Sequence, residues 1–163
     1  MNEPYKSLLE KLTTLLLQEF GDKLISVVVY GSVARGDSRK DSDIDLLLVI
    51  RDLPKTLTER IMLFEKVENK LESEIEGLMN EGYYVAFSPI MKTPEEAIRF
   101  SPLYMDMTED AVILYDKDNF FRKILEETKQ KLQKLGFERV WLSKKKWYWR
   151  KKDYKPGEII DFG

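Results

Sequence analysis

Apolar residues near the start of the chain fall into a helical rhythm. Tyr5, Leu8, Leu9, Leu12, Leu15, Leu16 and Phe20 recur at steps of three and four before Gly21, which predicts an amphipathic helix over residues 4–20 with a glycine stop. The pattern then changes. Residues 24–30, Leu-Ile-Ser-Val-Val-Val-Tyr, are short, β-branched and apolar on both faces, which predicts a buried central strand ending at Gly31. A second such run covers 44–50 and ends near Pro54, and the polar stretch Arg35, Gly36, Asp37, Ser38, Arg39, Lys40 and Asp41 between the two reads as a loop or one helical turn. Ile61, Phe64, Val67, Leu71, Ile75 and Leu78 restore the helical period, so one long helix is expected over 58–80, with Gly82 beyond its end.

Residues 83–91 are aromatic and β-branched, in the manner of a third strand. Thr93-Pro94-Glu95-Glu96 then offers a capping threonine, a proline at the first helical position and a glutamate at the third, the start of a helix. Ser101-Pro102 begins another short helix, 111–115 is a last short strand, and 120–135 is a final helix closed by Gly136. Tyr83, Tyr84, Phe87 and the leucines of the long helix are assigned to the core. The alternation predicts an α+β fold of α/β-like order, a small mixed sheet flanked by helices. The composition shifts only at Phe137, which divides the chain into a domain over 1–136 and a basic, aromatic extension over 137–163, packed on that domain or projecting from it.

Composition narrows the chemistry more than the fold. The 163 residues carry 27 basic and 29 acidic side chains, 43% hydrophobic residues, and neither histidine nor cysteine. Zinc sites, thiol nucleophiles, disulfides and the Ser-His-Asp triad are thereby excluded. A metal, if used, is a hard cation held by oxygen, with magnesium the first choice. No secretory signal is read at the N-terminus, and the longest apolar runs fall short of the roughly 20 residues that cross a bilayer. A cytoplasmic protein is expected.

The informative segment is residues 31–50, GSVARGDSRKDSDIDLLLVI. Asp43 and Asp45 are two apart at the start of a strand, so both side chains point to one face and reach a shared metal site. Such a pair can bridge two divalent ions about 3.5–4 Å apart, the arrangement that steadies attacking and leaving oxygens in phosphoryl transfer. Upstream, Gly31-Ser32 sits where a strand ends and the chain turns, offering backbone N–H groups and a hydroxyl to phosphate oxygens. Arg35, Arg39 and Lys40 add positive charge to the same loop, and Arg35 either touches phosphate or packs the motif.

A strand ending in Gly31-Ser32, ten intervening residues and then Asp43-Ile44-Asp45-Leu46 resembles the signature of the DNA polymerase beta superfamily of nucleotidyltransferases. The fuller form, Gly31-Ser32-Val33-Ala34-Arg35-Gly36 with Ser42-Asp43-Ile44-Asp45-Leu46, is similar to the small prokaryotic branch called minimal nucleotidyltransferases, and the ending with Trp147-Tyr148-Trp149 resembles small archaeal members. The resemblance implies that Gly31 and Ser32, with Arg35 and Ser42 beside them, bind the phosphates of a nucleoside triphosphate, and that Asp43 and Asp45 are catalytic and hold Mg2+. An acceptor hydroxyl then attacks and pyrophosphate leaves. It also implies a third carboxylate on a neighbouring strand, and residues 83–91 contain no acid. Either Glu81, Asp106 or Asp110 reaches in from a flanking element, or the site holds one metal; otherwise these three are surface or capping acids.

The resulting expectation is a Mg2+-dependent nucleotidyltransferase that moves a nucleoside monophosphate, AMP from ATP first, onto a hydroxyl. The resemblance implies an acceptor on a partner protein, often a small helical HEPN domain, with recognition supplied by that partner or by a homodimer. The alternative is a nucleotide-binding, antitoxin-like interaction module with little turnover. A third reading takes the tail, in which six lysines and arginines over 144–152 interleave with three aromatics, as a nucleic-acid-binding arm. Packing of those aromatics on the body is preferred to it.

Overall fold

Residues 1–162 are described by a computed structural model. The elements in chain order are α1 (Tyr5–Phe20), β1 (Leu24–Tyr30), α2 (Gly31–Arg35), β2 (Ile44–Ile50), α3 (Leu57–Glu68), α4 (Glu72–Asn80), β3 (Phe87–Lys92), α5 (Pro94–Ala97), α6 (Leu103–Asp110), β4 (Val112–Asp116), α7 (Phe120–Lys134), β5 (Phe137–Ser143) and β6 (Lys146–Lys151). β1 is apolar on both faces because it lies inside a four-stranded sheet of order β3-β2-β1-β4. It runs antiparallel to β2 and β4, while β2 and β3 are parallel, so the sheet is mixed. Helices cover both faces, giving the α+β architecture that the alternation predicts.

The period of two sorts the sheet residues into two cores. Val27, Val29, Leu46 and Leu48 pack against Leu9 and Leu12 of α1 and Phe64 of α3, whereas Val28, Leu47 and Val49 meet Tyr104, Met107 and Phe121. Truncating a fully buried leucine such as Leu47 to alanine costs about 2–5 kcal/mol at sites of this kind. Asp43 and Asp45 precede Leu47 and Val49 on the second face, so the burial of the hydrophobic stripe fixes where the carboxylates point.

Two expected elements differ. The single helix over 58–80 is broken, with a 3-10 turn at Asn69–Leu71 between α3 and α4. An unbroken helix of that length would run roughly 35 Å, well beyond strands of seven residues at about 3.3 Å each. The break sinks Leu71 into the core and lets Ile75 and Leu78 of α4 pack beside it. The third strand begins at Phe87, later than expected. Residues 83–86 instead lie along the irregular loop before β2, joined to it by Tyr84 N–H to Lys40 O and by Ala86 O to Ile44 N–H, both 2.9 Å. Tyr84 is accordingly 61% exposed and not a core residue. The capping box at Thr93 forms as its spacing implies, with Thr93 and Glu96 each bonding the other's backbone N–H.

The tail folds into an antiparallel hairpin of β5 and β6, a second, two-stranded sheet. Its indoles serve the body: the Nε1–H groups of Trp147 and Trp149 both donate to Oδ1 of Asp106 on α6, at 2.7 and 2.9 Å.

Candidate active site

β1 and β2 deliver the site because they are neighbours whose relevant ends meet. Tyr30, the last residue of β1, is paired with Asp45 of β2, and Asp45 is paired on its other side with Ser88 of β3. A phenol, a carboxylate and a hydroxyl therefore form one row across three strands. Asp43 lies just before β2, exposed, with its charge felt at Asp45.

The turn after β1 explains the glycine. Gly31 has φ +75°, in the left-handed region, and a Cβ there would overlap Oδ2 of Asp45. Glycine thus lets the backbone of the turn lie directly against the carboxylate. Gly31 opens the five-residue α2, which is closed by Gly36 at φ +82°, whose N–H bonds the carbonyls of Ser32 and Val33. So short a helix has little macrodipole, and any anion held here depends on the turn's N–H groups and the Ser32 hydroxyl. That hydroxyl has no hydrogen-bond partner within the described residues. Ser42 is partly committed, because its Oγ accepts the N–H of Arg39 at 2.8 Å and closes a tight turn in the loop, leaving only its proton to offer.

Electrostatics mark the two aspartates as unsatisfied. Among the described residues neither accepts a hydrogen bond nor joins an ion pair. Burial, then the charge of Asp43, raises the carboxyl pKa of Asp45, with Arg35 opposing. Tyr30 is pushed up to about 12 by burial and by Asp45. Two hard oxygen donors that form no ion pair, one of them pressed against a glycine that leaves it room, fit a divalent cation such as Mg2+.

No third acid joins them. Among the described residues, no group of three His, Cys, Asp or Glu side chains is placed to hold a metal ion. Glu81 caps α4 and lines a cleft with Glu3, Ser7 and Lys11 of the N-terminal region. Asp106 is taken by the two indoles. Asp110, with 11% side-chain exposure, is no surface acid: it accepts both Nη groups of Arg139 at 3.0 and 2.9 Å. The position beside Asp45 on β3 is filled by Ser88, exposed and without a hydrogen-bond partner.

Arg35 lies between these groups, 3.3 Å from Asp37, 3.5 Å from Asp110 and 4.6 Å from the centre of the Trp147 ring. The sequence named Arg35 and Asp110 separately but neither Arg139 nor the meeting of the three, because Arg139 and Asp110 are 29 residues apart and Arg35 and Asp110 are 75 apart. Only the interleaving of tryptophan with arginine and lysine in the tail hinted that the tail takes part.

The family model described as nucleotidyltransferase domain matches residues 9–156, almost the whole chain. The chain belongs to the nucleotidyltransferase domain family. This nucleotidyltransferase is 32% identical over 120 residues to a Methanocaldococcus jannaschii protein that carries the provisional name of protein adenylyltransferase, a match covering 72% of the chain and 76% of that relative. A second protein of the same organism, with the same provisional name, is 46% identical over 39 residues, 24% of the chain and 38% of the relative. Among solved structures, a toxin-antitoxin with AMP-PNP is 16% identical at a TM-score of 0.48, covering 77% of this chain and 90% of that one. A Shewanella oneidensis structure of a tri-AMPylated HEPN toxin in complex with its MNT antitoxin has the same identity and TM-score, 16% and 0.48, over 80% of this chain and 87% of that one. The nucleotidyltransferase has no helix among its described residues long and apolar enough to cross a membrane.

Proposed function

We propose that this nucleotidyltransferase transfers AMP from ATP to a hydroxyl on a partner protein, with pyrophosphate as the leaving group. One observation carries the reading: Asp43 and Asp45 accept no hydrogen bond and join no ion pair among the described residues, and Asp45 lies directly against Gly31, the residue before the unpartnered Ser32 hydroxyl. The donor ATP and the protein acceptor follow the provisional name of the relative that is 32% identical.

Asp43 and Asp45 would hold Mg2+, which would supply positive charge to offset that of the phosphates. The chain's own residues do the rest. Gly31 brings backbone N–H groups to the β- and γ-phosphates, Ser32 donates its hydroxyl to them, and Arg35 adds a planar guanidinium. Ser42 offers one proton at the rim and keeps the Arg39 turn closed. Tyr30 remains a neutral hydrogen-bond donor across the physiological range, since its pKa stands at about 12. Ser88 can orient an acceptor hydroxyl but is too weak a base to deprotonate it.

That last point favours a second reading, a module that binds nucleotide with little turnover. Incubating the protein with ATP, Mg2+ and co-purifying proteins, a HEPN-type domain first on the resemblance drawn above, separates the two. Mass spectrometry that finds an adenylyl group on the acceptor, with stoichiometric pyrophosphate, supports transfer. ATP binding with no adduct on any co-purifying protein favours the module, and unimpaired transfer by the Asp43→Asn, Asp45→Asn double variant sinks the site assignment.

A further inference from the structure

Arg139 and Arg35 share one carboxylate unequally. Arg139 of β5, with 7% side-chain exposure, grips both oxygens of Asp110 at 3.0 and 2.9 Å, near the ideal for charge-assisted bonds. Arg35 reaches the same Asp110 only at 3.5 Å and Asp37 at 3.3 Å. The two guanidinium carbons lie 4.0 Å (Arg139) and 4.6 Å (Arg35) from the centre of the Trp147 ring, so that indole contacts both cations. Lys145 at the hairpin tip donates to Asp37 O at 2.9 Å and ties the hairpin to the loop after α2. Within this cluster Oδ1 of Asp37 and Nε of Arg139 are buried without a partner, so its hydrogen bonding is incomplete.

We propose that the C-terminal hairpin is a positioning device for Arg35: Arg139 neutralises Asp110 so that Arg35 can leave it for a triphosphate, and Trp147 registers the departure. This rests on the reading that the Gly31 turn takes ATP. The physical reason is charge. Without Arg139, withdrawing Arg35 would strand a nearly buried carboxylate, and Asp110 would compete with phosphate for the guanidinium. With Arg139 in place, Asp110 keeps a bidentate partner whichever way Arg35 turns. Arg139 and Trp147 are thus positioning residues that act through Arg35 and need not touch the nucleotide.

The three tryptophans of the chain, Trp141, Trp147 and Trp149, all lie in the hairpin, so intrinsic tryptophan fluorescence reports on this element alone. The test titrates the full chain with α,β-methylene-ATP and Mg2+, following fluorescence and calorimetric binding in parallel. The expected result is a fluorescence change that saturates with the calorimetric isotherm, persists when Trp147 is the sole tryptophan (Trp141→Phe with Trp149→Phe), and is lost in Trp147→Phe. Arg139→Met should weaken nucleotide binding about tenfold, and adding Asp110→Asn should restore it to within about threefold, because no carboxylate then competes for Arg35. A hairpin that merely props the fold would make the double variant worse than the single one. Calorimetric binding with flat fluorescence, or failure of Asp110→Asn to rescue Arg139→Met, overturns the inference and leaves the ATP reading standing. Absence of calorimetric binding to the unmutated protein overturns that reading, and this inference with it.

Discussion

Two pairs of aspartates each have a member that feels Arg35, Asp110 in one and Asp45 in the other, and the pairs have opposite fates. Asp106 and Asp110, one turn apart on α6, are saturated by two indole N–H groups and a bidentate arginine. Asp43 and Asp45 accept nothing from the protein, and burial makes the charge on Asp45 harder to hold. The first pair has been spent on attaching the hairpin. The second is kept open, at a cost in stability, which is the condition a site for an external cation must meet.

The sharpest way to break this contrast is Asp45→Asn. Transfer should fall about 1,000-fold, the scale of several kcal/mol of charge stabilisation, while the metal-free protein melts higher than wild type. Transfer assays and calorimetry on one preparation check both halves, and a variant that loses activity by melting lower contradicts the assignment. Asp110→Asn should do the reverse, destabilising the fold by about 3 kcal/mol because Arg139 is left buried without its counterion. Urea unfolding measures that loss.

A smaller effect tests whether the open pair lacks a third member. Ser88→Asp places a carboxylate beside Asp45 on an exposed position and should raise turnover about tenfold, short of the roughly 100-fold at which a well-positioned general base starts. An unchanged initial rate of pyrophosphate release would show that the missing acid does not limit the reaction. The mildest test is in the pH profile. Asp45 binds its proton more tightly folded than unfolded, so its ionisation subtracts stability as pH rises above the ordinary carboxylate range. Glu96 behaves oppositely: hydrogen bonds from Arg60, then from Thr93, lower it to about 2, so its contribution is full above about 4.5 and drains away as pH falls to about 2. Melting curves of Glu96→Gln and wild type should therefore converge near pH 2 and separate at pH 5.

What could be read from the sequence was what short-range chemistry encodes. β1, the Gly31-Ser32 turn, Asp43, Asp45 and β2 sit within 27 residues, and the spacing of glycine, serine and aspartate carries most of their geometry. α1 was legible because its stripe faces one core. The bend at Asn69–Leu71 was not, since the apolar period continues through it and only the length of the strands calls for a break. The start of β3 was masked because Tyr83, Tyr84 and Val85 have strand-like side chains while their backbone partner is a loop. Asp110 could not be told from a surface acid, because its two arginines come from 75 residues before it and 29 after.

The contact between Gly31 and Asp45 also constrains how relatives of this protein can diverge. Any side chain at position 31 would occupy the space of Oδ2 of Asp45, so the two sites behave as a single unit of variation. A lineage that keeps the carboxylate must keep the glycine, and drift at 31 stays strained by its φ of +75° even after 45 has shortened. Loss of catalysis in descendants should therefore leave an ordered trace, with position 45 changing first.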